Sequence, residues 1–195
     1  MALNHKITDW ANKRVWIIGA STGMGAALAN QLHALKAKVA ESARSADKLN
    51  EMVARLGAAR AIALPLDITK VDTIKAAEAE LVAAWGSYDL VVFMAGDYTA
   101  MRAWELDLKI AKQMVSINWE GFLNGLSIVI PRFMQAEAGG IALVSSVAGY
   151  RGLPKSLVYG PTKAALINLA EVLYLDLKEK GLDIYVICPG FVRSR

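Results

Sequence analysis

A tyrosine and a lysine spaced four residues apart are the strongest candidates for chemistry in this sequence. They lie in the segment Tyr159-Gly160-Pro161-Thr162-Lys163, and a spacing of four puts both side chains on one face of a helix. Because proline is tolerated only in the first turn of a helix, Pro161 predicts that the pair lies at a helix start. A nearby ammonium lowers a phenol pKa from its usual value of about 10. Tyr159 is therefore a candidate acid/base catalyst near neutral pH.

A glycine-rich turn follows the first apolar run and precedes an alanine-rich segment. Such a turn lets backbone N–H groups approach a pyrophosphate, and the N-terminus of the following helix adds a partial positive charge. A turn that merely needs glycine is the alternative interpretation of this motif when it is taken alone. The predicted dinucleotide contacts in the turn are Gly19, Ser21, Thr22, Gly23, Met24 and Gly25.

The second apolar run ends in Glu41-Ser42-Ala43-Arg44. In dinucleotide-binding folds an acid at this point bonds the ribose 2′-hydroxyl, whereas a nearby arginine accommodates a 2′-phosphate. Aligning Ala43 with the acid's position puts Arg44 next to it, which favours NADP(H) over NAD(H). Glu41 keeps NAD(H) open, because it shares a strand face with Ala43 and a shift in register would make it the acid.

Two later strand ends carry further candidates. Asp67 and Ile68 follow the third apolar run, and Ala95 and Gly96 follow the fourth. The Asp67 carboxylate is suited to accept a hydrogen bond from an adenine amino group, or alternatively to cap the next helix. Ligands of doubly wound sheets bind at the carboxyl ends of the strands, so we expect these residues to contact the same dinucleotide.

Short apolar runs alternate with alanine-rich helical patterns along the whole chain. The runs are Val15–Ile18, a segment starting at Val39, Ala61–Leu66, Leu90–Met94, Ile141–Val144 and Ile184–Ile187, and the helical patterns include Ala26–Ala37, Ile74–Trp85, Leu106–Gln135 and Ala164–Lys180. Runs that are apolar at every position predict strands covered on both faces. The sequence therefore predicts an α/β fold, a Rossmann-type doubly wound parallel sheet with helices on both faces, as a single domain over residues 1–195.

Composition argues against several classes of protein. The net charge of +4 is small and spread along the chain without a basic run, which does not favour nucleic-acid binding. A single cysteine, Cys188, excludes an intramolecular disulfide and, with only His5 and His33 beside it, argues against a zinc site, so no metal is expected. No apolar stretch is long enough to cross a bilayer, and the polar start is unlike a signal peptide. We expect a cytoplasmic protein without a membrane partner.

In order and spacing, the candidate residues resemble the motifs of the short-chain dehydrogenase/reductase family. The resemblance runs from about Lys13 to the last residue. Its motifs are Gly19-x-x-x-Gly23-x-Gly25, Asp67, Ala95-Gly96, Asn118, Ser146, Tyr159-x-x-x-Lys163 and Pro189-Gly190. The resemblance implies NAD(P)-dependent hydride transfer between a nicotinamide and a secondary alcohol or the matching ketone. It also implies a homodimer or homotetramer assembled through the two longest helical patterns.

The resemblance further implies a catalytic tetrad of Asn118, Ser146, Tyr159 and Lys163. Tyr159 would exchange a proton with the substrate oxygen, and Ser146 would hydrogen-bond that oxygen. Lys163 would hold the nicotinamide ribose and lower the Tyr159 pKa, and Asn118 would position a water in the proton relay. Tyr159 and Lys163 would thus also contact the coenzyme, and further coenzyme contacts are implied at Pro189, Gly190, Val192 and Ser194.

The sequence departs from the family pattern at several places. Phe93-Met94 replaces a common pair of asparagines, and Thr22 stands where NADP-preferring members often have a basic residue. The sequence stops at Arg195, before the family's substrate-covering segment, a further helix and a seventh strand. We expect either a tail beyond Arg195 or a short variant with an open substrate site.

Three other functions compete with the oxidoreductase interpretation. A dinucleotide-binding regulatory or interaction module with little turnover fits the same motifs, although an intact tetrad argues for chemistry. A methyltransferase would share the glycine-rich turn and leave the tyrosine–lysine pair unexplained. A hydrolase would need a histidine after a late strand, whereas His5 and His33 lie near the N-terminus and on a predicted helix.

Overall fold

A computed structural model of the chain describes residues 4–192. Within them, parallel strands form one six-stranded sheet in the order β3-β2-β1-β4-β5-β6. The strands are β1 (Arg14–Ile18), β2 (Lys38–Ser42), β3 (Ala61–Ala63), β4 (Leu90–Phe93), β5 (Gly139–Val144) and β6 (Leu182–Ile187). The central strand β1 pairs with β2 and β4 on its two sides, Val15 lying opposite Val39 and Leu90. The strand order reverses there, and the crevice above this point is where such sheets bind ligands.

Helices cover both faces of the sheet. They are α1 (Gly23–Ala34), α2 (Ala46–Leu56), α3 (Val71–Trp85), α4 (Leu108–Val115), α5 (Gly121–Ala136) and α6 (Tyr159–Leu177). Short 3₁₀ turns lie at Ala103–Glu105, Val147–Gly149 and Lys178–Lys180, and a π-helical turn spans Ser116–Glu120. Within residues 4–192, no helix has both the length and the apolar character needed to cross a bilayer.

Two apolar clusters form the core, one on each face of the sheet. Val15 and Ile17 pack with residues of α1 and α2, whereas Trp16 and Ile18 pack with residues of α3, α5 and α6. Successive side chains of a strand point to opposite faces, so burial on both faces favours apolar residues at consecutive positions, as at Val15 to Ile18 of β1. This confirms the predicted doubly wound α/β fold.

The helical pattern predicted over residues 106–135 is divided in the structure into two helices. Asp107 accepts hydrogen bonds from the backbone of Lys109 and Ile110, so the first helix begins only at Leu108. The π-helical turn then separates α4 from α5. The third apolar run also ends early as a strand, at Ala63, before Pro65, which has no N–H to pair.

Helix α2 was not among the helical patterns predicted from the sequence. Its apolar residues Leu49, Met52, Val53 and Leu56 recur at helical spacing, so a signal for this helix was present in the sequence and was overlooked. This helix follows directly on Arg44 and Ser45, so its start contributes to the ligand crevice.

Strand β6 lies at the edge of the sheet within the described residues. Val186 and Ile187 near its end are exposed. Asn4 covers part of this edge, because its side-chain amide donates to the Ile184 carbonyl at 2.7 Å and accepts from the Ile184 N–H at 3.2 Å. One asparagine side chain thus replaces part of the backbone pairing of a neighbouring strand.

Candidate active site and coenzyme cleft

The glycine-rich turn after β1 is shaped by close backbone contacts. Gly19 has φ +107°, and a Cβ there would lie 2.5 Å from the Ala95 backbone nitrogen. A Cβ on Gly25 would collide with the carbonyl oxygen of Gly19. Gly23 has φ +56°, a left-handed conformation that favours glycine. Direct packing therefore requires glycine at positions 19 and 25, and backbone conformation favours it at Gly23.

This turn forms one wall of a cleft of about 780 Å³ at the carboxyl ends of the strands, a size typical of small-molecule and cofactor sites. The predicted coenzyme contacts that line the cleft are Gly19, Ser21, Thr22, Met24, Gly25, Arg44, Asp67, Ile68, Ala95 and Gly96. Helix α1 begins at Gly23, and its first turn carries no acidic side chain. Its N–H groups and partial positive charge thus suit an anion at this wall.

Positively charged side chains gather at the cleft beyond the end of β2. Arg44 and Lys48 both line it, together with Ser45. Arg44 was predicted from the sequence, whereas Ser45 and Lys48 were not. The available signal was a second cation four residues after Arg44, close enough in the chain to reach the same cleft.

Glu41 does not line the cleft, although a register shift could have made it the ribose-binding acid. It is fully buried in β2, on the strand face whose other residues pack against α1 and α2. Its carboxylate oxygens have no hydrogen-bond partner among residues 4–192. Burial raises the pKa of the Glu41 carboxyl to about 7, against the opposing effect of the Arg55 guanidinium. Ala43 and Arg44 line the ligand crevice in its place.

Asp67 does not cap the following helix, since the N-cap of α3 is Lys70, and instead it holds the turn that precedes this helix. Its carboxylate accepts from the Thr69 N–H at 3.0 Å and the Thr69 hydroxyl at 2.8 Å, so it shapes the turn before α3. Partial burial would raise its pKa, but these hydrogen bonds and the charges of Lys70 and Arg44 lower it. Asp67 also lines the cleft, where its ionised carboxylate is suited to accept a hydrogen bond from a ligand.

Tyr159 and Lys163 lie at the start of α6, which begins at Tyr159 itself. The Lys163 side chain points inward, and its Nζ donates to the Val144 carbonyl at 3.0 Å. The same Nζ lies 5.6 Å from the centroid of the Tyr159 ring. Burial lowers the Lys163 pKa to about 8, with a smaller opposing effect from Cys188. The amine is therefore held beside Tyr159 and is costly to charge.

Asn118 lies in the π-helical turn and is completely buried. Its amide accepts from the Asp97 N–H and donates to the Asp97 carbonyl, both at 2.8 Å. It also donates to the Thr162 hydroxyl at 3.3 Å, and that hydroxyl donates to the Tyr159 carbonyl at 2.8 Å. Asn118 thus joins the loop after β4 to the start of α6. π-helical turns often occur at functional sites, and this one accounts for an asparagine in a helical stretch.

Ser145 and Ser146 at the end of β5 have different roles. Ser145 is buried, and its hydroxyl donates to the Lys163 carbonyl at 2.7 Å, which ties β5 to α6. The Ser146 oxygen accepts from the Ala148 N–H at 3.1 Å, so its own proton stays available to donate. A Cβ on Gly149 would lie 2.8 Å from the Lys163 carbonyl carbon. The turn that carries Ser146 therefore packs closely on the helix that carries the lysine.

The cleft and the predicted tetrad meet at Gly96. A Cβ on Gly96 would lie 3.7 Å from both Asn118 Oδ1 and Lys163 Nζ. Gly96 also lines the cleft, so a side chain at this position would stand between a bound ligand and these two polar groups. None of the four predicted tetrad residues lines the cleft itself, but Asn118 and Lys163 lie just beyond it, behind Gly96.

The loop after β6 lies beside the Ser146 turn, because the Pro189 carbonyl accepts from the Val147 N–H at 3.0 Å. Gly190 and Val192 are exposed and do not line the cleft. Ser194, also a predicted contact, lies outside the described residues. Within residues 4–192, no group of His, Cys, Asp and Glu side chains is arranged to hold a metal ion.

Comparison with known proteins agrees with this geometry. The family model described as short chain dehydrogenase matches residues 13–195. An uncharacterized oxidoreductase of Listeria monocytogenes is 34% identical over 178 residues, which cover 90% of this chain and 72% of the relative. A short-chain dehydrogenase from Streptomyces avermitilis superposes with a TM-score of 0.87 at 27% identity, covering 94% of this chain and 68% of that one.

A further solved structure, of ElxO with NADP bound, has a TM-score of 0.88 at 23% identity and covers 94% of this chain and 75% of its own. At that identity the likeness concerns the fold. The family match, in contrast, extends over nearly the whole chain and includes the glycine-rich turn and the tyrosine–lysine pair. This chain belongs to the short chain dehydrogenase family of oxidoreductases.

Proposed function

We propose that the protein is an NADP(H)-dependent oxidoreductase that interconverts a secondary alcohol and the matching ketone. The observation that carries this proposal is the meeting of cleft and tetrad at Gly96, beside Asn118 Oδ1 and Lys163 Nζ. A ligand that fills the cleft to this end lies next to the groups of an acid/base site. A binding module would have no need for a buried lysine at this point, since its burial destabilises the charged form.

The residues of the cleft fit a nicotinamide dinucleotide, which supplies or accepts the hydride when bound. The turn from Gly19 to Gly25 and the start of α1 would hold the pyrophosphate. Asp67 and Ile68 would contact the adenine, and the backbone at Ala95 and Gly96 would admit the ligand closely. Tyr159, Lys163, Pro189, Gly190, Val192 and Ser194 are proposed contacts of the nicotinamide half.

The preference for NADP(H) is supported by charge at the end of β2. Arg44 and Lys48 both line the cleft, and two cations there suit the 2′-phosphate. Glu41, the acid that would favour NAD(H), is buried away from the cleft. The solved structure of ElxO, which has the same fold, contains NADP.

Each member of the tetrad has a distinct part in moving the substrate proton. During ketone reduction the Tyr159 hydroxyl would donate its proton to the carbonyl oxygen as negative charge develops there. Ser146, whose oxygen already accepts from the Ala148 N–H, would donate a second hydrogen bond to the same oxygen. Lys163 would hold the ribose hydroxyls and favour the phenolate through its charge. Asn118 would hold the loop at Asp97 and order a water that resupplies the proton.

The test is whether purified protein reduces any of a panel of ketones with NADPH. Turnover is measured as the fall in the absorbance of reduced nicotinamide. Tyr159→Phe should abolish turnover while NADPH still binds, because the hydroxyl donates the proton but does not form the cleft. Tyr174→Phe is the matched control, since it removes a hydroxyl from the same helix, α6, and should keep activity. Tight NADPH binding without turnover of any ketone would favour the regulatory module instead.

We also infer that the chain assembles into a homodimer or homotetramer through α5 and α6. Leu123, Met134, Val172 and Leu175 on these helices are exposed, and apolar surface of this kind favours association. Light scattering of the purified protein should give a dimeric or tetrameric mass. A monomeric mass at working concentration would contradict this assembly.

A further inference from the structure

Tyr98 packs directly against the proposed catalytic tyrosine. The centroids of the Tyr98 and Tyr159 rings are 5.0 Å apart at an interplanar angle of 75°, the edge-to-face geometry that aromatic rings prefer. Tyr98 is 55% exposed, so this contact leaves much of its ring uncovered. An apolar surface next to the proposed proton donor is thus open to a substrate.

The loop that carries Tyr98 is anchored on both sides of the ring. Before it, the Asp97 backbone makes two hydrogen bonds of 2.8 Å with the Asn118 amide. After it, the Thr99 N–H contacts the Met114 sulfur at 3.5 Å. Farther along, Met101 pairs with the loop before α6, donating to the Lys155 carbonyl at 3.0 Å. The position of Tyr98 is therefore set before a substrate arrives, which lowers the entropy cost of using it.

The proposed reaction puts the substrate carbonyl beside the Tyr159 side chain, whose ring is in contact with the Tyr98 ring. The carbonyl oxygen must come within about 2.7 Å of the Tyr159 hydroxyl for a hydrogen bond to form. The two groups attached to the carbonyl carbon then lie within one or two bonds of that point. A flat ring bonded directly to the carbonyl carbon is short and rigid enough to rest against Tyr98.

We propose that Tyr98 is a positioning and specificity-determining residue of the substrate site, and that the preferred substrates are aryl ketones and the matching benzylic alcohols. The ring of the substrate packs on the exposed part of the Tyr98 ring while its oxygen contacts Tyr159 and Ser146. This inference rests on the proposed oxidoreductase function. Aromatic pairs contribute beyond the burial of area, so a saturated ring of similar size binds less well.

The experiment compares acetophenone with cyclohexyl methyl ketone, which has a similar size but no aromatic ring. Tyr98→Ala should lower the ratio of kcat/KM for acetophenone over cyclohexyl methyl ketone by about ten-fold, mainly through the KM for acetophenone. Tyr98→Phe should keep the ratio of the unchanged protein. Trp104→Ala is the matched control, because Trp104 is 77% exposed farther along the same connection and its ring centroid lies 5.2 Å from Arg102 Cζ. An unchanged ratio in Tyr98→Ala would overturn the proposal.

A binding measurement separates this inference from the proposed function. Acetophenone binding to Tyr159→Phe with NADPH present, measured by saturation-transfer NMR, should weaken about ten-fold on adding Tyr98→Ala. Binding of this kind in a protein that reduces no ketone would refute the proposed reaction and leave the Tyr98 contact standing. Turnover of aliphatic ketones without acetophenone binding would support the proposed reaction and refute the Tyr98 contact.

Discussion

Replacing Glu41 by leucine should stabilise the protein, and the gain should depend on pH. Glu41 is fully buried, its oxygens have no hydrogen-bond partner among residues 4–192, and Arg55 offsets its charge only in part. The carboxyl pKa is 4.5 in a solvated chain and about 7 in the folded protein. At about 1.4 kcal/mol for each pH unit, this difference corresponds to about 3 kcal/mol of destabilisation above pH 7.

The direction in which stability changes with pH follows from proton binding by Glu41. Between pH 4.5 and about 7 the folded protein keeps the Glu41 proton that the unfolded chain has lost. The free energy of unfolding therefore falls through this interval as the pH rises, and the contribution of Glu41 levels off above it. Below pH 4.5 both states are protonated and this contribution disappears. A buried carboxyl without a partner still costs about 1–3 kcal/mol there.

Urea unfolding followed by tryptophan fluorescence at pH 5 and pH 8 measures the effect, and thermal unfolding at the same two pH values gives the melting temperatures. Glu41→Gln is the matched control, since it keeps the shape and the unpaired polar atoms but does not titrate. We expect Glu41→Gln to be close to the unchanged protein at pH 5 and more stable at pH 8. Glu41→Leu should be more stable at both. Since it removes the ionisation cost of about 3 kcal/mol and the cost of about 1–3 kcal/mol of the unpaired carboxyl, its melting temperature at pH 8 should be higher by about 8–24 °C. Equal pH dependence in all three proteins would refute the reasoning.

Three further predictions concern the cleft and the tetrad. Arg44→Ala should weaken NADPH binding about ten-fold and leave NADH binding nearly unchanged, because the guanidinium would pair with the 2′-phosphate. Fluorescence titration measures the affinity for both coenzymes, and an equal loss of affinity for the two would contradict this prediction. Gly19→Ala should abolish coenzyme binding, because its Cβ would lie 2.5 Å from the Ala95 nitrogen at φ +107°; a dissociation constant close to that of the unchanged protein would argue against the clash. Lys163→Met should raise the free energy of unfolding at pH 7 by up to about 3 kcal/mol while abolishing turnover. The reason is that burial lowers the Lys163 pKa to about 8, so the folded protein pays the cost of a buried charge at pH 7. If thermal unfolding at pH 7 shows that the variant is destabilised, the hydrogen bond to Val144 outweighs this cost.

Much of the fold could be predicted from the sequence because its signals are local. The β1 residues Val15 to Ile18 are apolar at every position, as a strand buried on both faces requires. Pro161 marked the start of α6 within two residues. The contacts of the Asn118 amide could not be predicted, since they join it to Asp97 and Thr162 on other segments.

Local sequence specifies the chemical groups of the candidate site and their spacing within single elements. The glycine-rich turn and the tyrosine–lysine pair depend on neighbours within a few residues, and helix geometry alone puts Tyr159 and Lys163 on one side. Tertiary structure decided which side chains reach the cleft. Packing of β2 against α1 and α2 buried Glu41 and left Arg44 at the cleft, and pairing between distant loops set Tyr98 against Tyr159. These outcomes depend on distances between segments far apart in the chain, which only the packed sheet and helices establish.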